Sequence, residues 1–154
     1  MAAKSGGNET GYLTGSNSFE LSDLSGNDLH YQLVLQTSAD DRDEITVTDT
    51  LPENVGFKVE NVKIALDEGD FVKISDKNVD WATAEYDETT RRLTIKISNY
   101  NQSGQEEHRI RIQYKVSVSD DPSWKNPSVG KLTYTNTATW GEQTDTTTLS
   151  LIHI

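Results

Sequence analysis

The 154-residue chain sets 25 acidic side chains against 14 basic ones, a net charge of −11, and only 33% of it is apolar. That is one domain's worth of protein, and its charge repels phosphate backbones and anionic lipid surfaces, which excludes nucleic acid as a partner. No window approaches the roughly 18 apolar residues of a spanning helix, so membrane insertion is excluded too, and the absence of cysteine rules out disulfides, thiolate metal sites and a thiol nucleophile.

In chain order, residues 1–10 read as a flexible tail. Its start, Met1 to Gly7, lacks the apolar stretch of a signal peptide and reads as vector-derived, so the export and anchoring signals of a secreted parent would lie outside this fragment. Residues 11–154 read as a single domain. From residue 28 onward, apolar and polar side chains alternate with the strand period of two. This predicts strands at about 28–37, 44–50, 56–65, 70–75, 91–98, 108–119, 131–140 and 143–153. Leu29, Tyr31, Leu33 and Leu35 share one face, as do Leu93, Ile95 and Ile97, and Ile110, Ile112, Tyr114, Val116 and Val118. Turn-rich stretches separate the strands, notably Ser38 to Asp43, Asn99 to Glu107 and Asp120 to Gly130. The one helix candidate is a turn or two near 79–86. Eighteen threonines and fourteen serines suit a thin sandwich whose strands each wet one face. The fold class is all-β, an immunoglobulin-like antiparallel β-sandwich of seven to nine strands.

Two polar residues fall on the apolar side of this alternation. In Ile45-Thr46-Val47-Thr48-Asp49, the carboxyl group of Asp49 shares the face of Ile45 and Val47. Between Lys131 and Trp140, the apolar set Leu132, Tyr134, Ala138 and Trp140 encloses the carboxamide of Asn136 in the same way. Burying either group without a partner costs about 1–3 kcal/mol, so each needs a defined neighbour. One reading has Asp49 capping the Thr50-Leu51-Pro52 turn and Asn136 bonded to backbone across the sheets.

The segments ITVTDTLPENVGF at 45–57 and YTNTATW at 134–140, with the strand LHYQLVLQ before them, resemble the Ig-like repeats of Gram-positive pilins and surface adhesins. The likeness spans roughly residues 19–145 and is greatest to the CnaA-like, fimbrial D2 type of isopeptide-forming domain. It implies a secreted module at the bacterial cell wall. Its role there is a stalk domain whose partners are the neighbouring domains of the same surface protein, or a cell-adhesion module that grips a host protein or matrix ligand. The resemblance also implies that Asp49 is the acid, and Asn136 the acceptor, of a self-made crosslink to a lysine. A desolvated amine is nucleophilic and a protonated carboxyl group polarises the carboxamide, so ammonia leaves and an amide remains. Such chemistry is intramolecular and single-turnover, not that of an enzyme.

The lysine is missing from its expected place. The family sets it on the first strand, where this chain reads Gly15-Ser16-Asn17-Ser18-Phe19-Glu20-Leu21. By alternation Lys63, Lys96, Lys115 and Lys131 face outward, and Lys77 and Lys125 fall in loops. Lys58 turns inward only with a bulge at Gly56, and the parity of Lys73 is ambiguous. Lys4 in the tail is the remote candidate. The expectation is therefore no crosslink in this chain.

The remaining signals are weaker. His30, His108 and His153 lie at no ligand spacing and read as surface or rim residues. The acidic runs Asp40 to Glu44, Asp67 to Asp70 and Asp120-Asp121 carry the hard oxygens that calcium takes, but not the EF-hand pattern, so they read as solvated loop charge and no cofactor is expected. Trp140 has core parity, whereas Trp81 and Trp124 sit in irregular segments. Residues 145–154 read as a last strand at a sheet edge, in a position to latch over a groove.

Overall fold

The computed structural model describes residues 13–18, 28–37, 44–98, 100, 108–119, 121–122, 131–140 and 143–152. The expected tail at 1–10, together with Lys4, Trp124, Lys125 and His153, lies outside them. Among the described residues ten strands form two five-stranded sheets, and nine of these strands are four residues or longer. In the first sheet, β1 (Leu13–Ser18), β2 (Asp28–Thr37), β8 (His108–Ser117), β4 (Lys63–Leu66) and β5 (Val72–Lys73) lie side by side in that order. In the second the order is β10 (Gln143–Ile152), β9 (Lys131–Trp140), β3 (Glu44–Thr50), β7 (Arg92–Ser98) and β6 (Ala82–Asp87). Every pairing among these strands is antiparallel. This is the expected immunoglobulin-like β-sandwich.

The core follows the period of two. Leu29, Leu33 and Leu35 of β2, Ile110, Ile112 and Val116 of β8, and Leu93, Ile95 and Ile97 of β7 are all buried in one cluster between the sheets. Removing each such side chain from water contributes about 1.5–3 kcal/mol, which is what holds two thin, threonine-rich sheets together. Trp140 joins that core, and Trp81 packs half-buried against it.

Four local expectations are corrected. The stretch 56–65 is not one strand: a single bridge between Gly56 and Ser117 and a 3-10 turn at Val59–Asn61 precede β4. Val62 is buried beneath that turn, so the apolar residues here close one side of the sandwich instead of extending a sheet. Only Val72–Lys73 of the segment 70–75 is strand. The helix expected near 79–86 is strand β6, because Ala82, Ala84 and Tyr86 turn toward the core while Thr83, Glu85 and Asp87 are exposed. Finally, β1 at Leu13–Ser18 pairs along its whole length with β2 although its sequence has no apolar alternation.

Candidate functional site

β3 and β9 are neighbours in the second sheet, with Asp49 directly opposite Ala138. Asn136 lies two residues along β9, on the same face, a diagonal of about 7–8 Å between backbones. Asp49 and Asn136 are both buried, at 1% and 5% exposure. They therefore share one sheet and one inner face and do not oppose each other across the sandwich. What faces them from the other sheet is an aromatic pair. Tyr31 of β2 and Tyr114 of β8 are register partners with ring centroids 5.8 Å apart, and both are buried.

The polar atoms of this cluster are poorly matched. Asn136 donates from Nδ2 to the Tyr114 hydroxyl at 3.4 Å, a long bond, while its Oδ1 has no hydrogen-bond partner among the described residues. Both carboxyl oxygens of Asp49 and the Tyr31 hydroxyl are buried and also without one. Asp49 has Leu93 on one side and Ala138 on the other. In that apolar setting burial drives its pKa well above the ordinary carboxylate range, because the ion loses water and gains no donor. Burial first, and the Asp49 charge second, push the Tyr31 phenol above its usual value. Two residues before Asn136, Tyr134 donates its hydroxyl to Asp121 Oδ2 at 2.8 Å. Its pKa is raised by burial, by that bond and by the Asp121 and Tyr31 charges.

Neither local alternative from the sequence holds. Asp49 caps nothing; the turn after it is fixed by Arg91, whose carbonyl accepts from Leu51 N–H at 2.9 Å and whose Nε donates to the Leu51 carbonyl at 3.2 Å. An ion pair from Arg91 to Glu53 at 3.1 Å completes that clamp. Asn136 bonds a tyrosine hydroxyl and not backbone. A protonated acid beside a carboxamide with a bare carbonyl oxygen can polarise that carbonyl and move a proton. Among the lysines whose side chains are described, none joins this arrangement. Lys58, Lys63, Lys73, Lys77, Lys96 and Lys115 are all exposed, which settles Lys58 and Lys73 as outward.

Sequence reading did not find the tyrosine half of the cluster as a functional group, since Tyr31 and Tyr114 read only as core. Their facing parity was the available signal. It also misplaced His108, which is not at the rim. The ring is 2% exposed, with Nδ1 lying 2.8 Å from Asp67 Oδ2 and Tyr100 edge-on to it. Asp67 accepts from Arg109 N–H as well, so its carboxylate ties the β4–β5 turn to the start of β8. Among the described residues no helix is long and apolar enough to cross a membrane.

No family profile matches the chain, and no curated protein does. Solved structures do. The collagen-binding domain of the Erysipelothrix rhusiopathiae surface protein RspB matches with a TM-score of 0.58 at 14% identity, over 96% of this chain and 47% of that one. The collagen-binding domain from a Staphylococcus aureus adhesin matches with a TM-score of 0.55 at 11% identity, over 91% of this chain and 96% of the other. The pilus backbone protein RrgB of Streptococcus pneumoniae matches with a TM-score of 0.50 at 15% identity, over 73% of this chain and 40% of RrgB. This chain thus spans less than half of the RrgB and RspB chains. It shares its fold with domains of Gram-positive pilins and collagen-binding adhesins, which are structural and binding proteins.

Proposed function

We propose that the chain is a stalk module of a Gram-positive cell-wall-anchored surface protein or pilus. It is an extracellular spacer, not a turnover enzyme, works without a cofactor, and has the neighbouring domains of its parent protein as partners. The observation that carries this reading is the sealed position of Asp49 and Asn136 between the sheets. Groups shut away from any substrate can act only on the protein itself, and here they lie in a sandwich shared with a pilus backbone. Within this reading Asp49 is the acid and Asn136 the acceptor of an isopeptide-type site that has lost its amine. The six exposed lysines support the loss. Lys4 is the remote alternative partner.

A second reading, an adhesin module for a matrix ligand, is favoured by the reciprocal coverage with the Staphylococcus aureus collagen-binding domain, 91% of one chain and 96% of the other. Surface plasmon resonance of the whole chain against a triple-helical collagen peptide separates the two. A stalk gives no saturable response and resists limited proteolysis by trypsin; saturable binding overturns the stalk reading in favour of the adhesin. Intact mass tests the site. The sequence mass is expected, and a mass one ammonia lower would show that an amine does reach Asn136.

A further inference from the structure

Both carboxyl oxygens of Asp49, Oδ1 of Asn136 and the hydroxyl of Tyr31 are buried between the sheets without a hydrogen-bond partner among the described residues. Asp49 and Asn136 share one inner face. Tyr31 stands on the other sheet, beside the Tyr114 ring whose hydroxyl accepts from Asn136, and near enough to Asp49 for the charge of that carboxylate to act on its phenol. Each unsatisfied group costs about 1–3 kcal/mol. Burial favours the protonated form of Asp49, so the set holds two donors, the O–H groups of Asp49 and Tyr31, and two acceptors, the second Asp49 oxygen and Asn136 Oδ1. A water molecule, which offers two donors and two acceptors itself, is the complement of that set, and buried polar groups of this kind are what internal water satisfies.

Water bonded to Asp49 and to the Asn136 carbonyl stands beside an acid and an electrophilic carbon. We propose that the folded protein hydrolyses the side-chain amide of its own Asn136, once per molecule, with water as the nucleophile and Asp49 as the proton carrier. The inference rests on the reading of Asp49 as acid and Asn136 as acceptor. The water oxygen bonds to Cγ of Asn136 while a water proton passes to the bare carboxyl oxygen of Asp49. The Asp49 O–H gives its proton to Nδ2, the Cγ–Nδ2 bond breaks and ammonia leaves. The carboxamide becomes a carboxyl group, and Asp49 ends with a proton, as it began. The ordinary route of asparagine loss is closed at this position. It needs the backbone nitrogen of Thr137 to swing onto Cγ of Asn136 and close a cyclic imide, but β9 is held on both sides, with Thr137 opposite Thr146 of β10 and Thr50 of β3. Backbone fixed in that extended ladder cannot close the ring, so hydrolysis here carries the mark of direct attack by water.

The test is peptide mapping by mass spectrometry of the full chain, kept folded for weeks in heavy-oxygen water at mildly acidic pH, where Asp49 holds its proton. The chain starts at its sequence mass. Asn136 is then expected to exchange its amide nitrogen for one heavy oxygen, giving a normal aspartyl linkage and no isoaspartyl product. Asp49→Asn, which keeps the shape of the side chain, should slow this by about 100-fold or more, the contribution of a positioned acid–base group. Guanidinium chloride should abolish it in the parent chain, since unfolding separates the groups. An unreacted Asn136, isoaspartyl product at 136, an unchanged rate in Asp49→Asn or an unchanged rate in denaturant each overturns the inference. So does loss of one ammonia without heavy oxygen, which would show a lysine and not water on Asn136. Asn17→Lys separates the two levels of the argument: if it loses ammonia while the parent's Asn136 stays intact, the inference falls and the acid and acceptor roles stand. If neither chain reacts, both fall.

Discussion

Asp49 carries a carboxyl group into an apolar sheet face with no donor for either oxygen among the described residues, and this fixes the sign of a pH dependence. Its native pKa is raised by burial, while the unfolded value is about 3.9. Between those two values the native state holds the proton and the unfolded state does not, so stability falls as pH rises from about 4 and levels off once pH passes the native pKa. Asp49→Asn removes the titration. Urea denaturation should show the variant more stable than the parent by about 1–3 kcal/mol at pH 7, with the gain disappearing near pH 4. The inward face of Asp49 and Asn136 was legible in the sequence because strand parity is strict. Their placement on one sheet was not, since alternation says which face a side chain takes and nothing about which strands are neighbours. That pairing is decided by loops such as 51–62, whose route depends on the Arg91 clamp to Leu51 and Glu53, 38 residues and more away in sequence.

At the scale of the element, β1 makes the sharpest prediction. Asn17 is the register partner of Tyr31, and Ser18 that of His30. Directly opposed residues share a face, so position 17 stands in the row of Tyr31 and Tyr114 that faces Asp49 and Asn136. Position 18 belongs to the other face. Asn17→Lys should therefore lower the intact mass by one ammonia, whereas Ser18→Lys should leave it at the sequence value. If neither variant loses ammonia, Asp49 and Asn136 are not an acid and its acceptor. The β4–β5 turn offers a second case. Asp67→Ala removes a carboxylate that holds both the His108 ring and the Arg109 N–H, and should lower stability by about 1–3 kcal/mol in chemical denaturation. The long central strands β2, β3, β7, β8 and β9 were legible because apolar residues recur at every second position, interrupted in β3 by Asp49 and in β9 by Asn136. β1 was not, since Leu13-Thr14-Gly15-Ser16-Asn17-Ser18 has no apolar rhythm and becomes strand by lying along β2. β6 was misread because two alanines in its inward row carry too little hydrophobic contrast to reveal the period.

The molecule as a whole is a small sandwich held against a net charge of −11. Like charges spread over its surface oppose compaction, and salt screens them within a Debye length of about 10 Å at 0.1 M. Raising sodium chloride from about 0.05 to 0.5 M should lift the thermal midpoint by a few degrees, corresponding to about 1 kcal/mol; a fall on adding salt would mean that attractive surface pairs outweigh the repulsion. The outer position of β1 and β10 in their respective sheets has a mechanical meaning. β1 runs from the level of Leu35 down to that of His30, and β10 runs from the Trp140 end of β9 toward its Lys131 end. The contact between Asn136 and Tyr114 and the bridge from Gly56 to Ser117 set the levels of the two sheets side by side. On that alignment the start of β1 and the finish of β10 lie at opposite ends of the sandwich. Tension between them pulls each outer strand lengthwise along its neighbour, so that the six pairs of β1 with β2 and the ten of β10 with β9 resist in shear, all at once, and do not peel apart one by one. Drawn between its ends in an optical trap, the module should yield in one abrupt rip and not in a series of small steps.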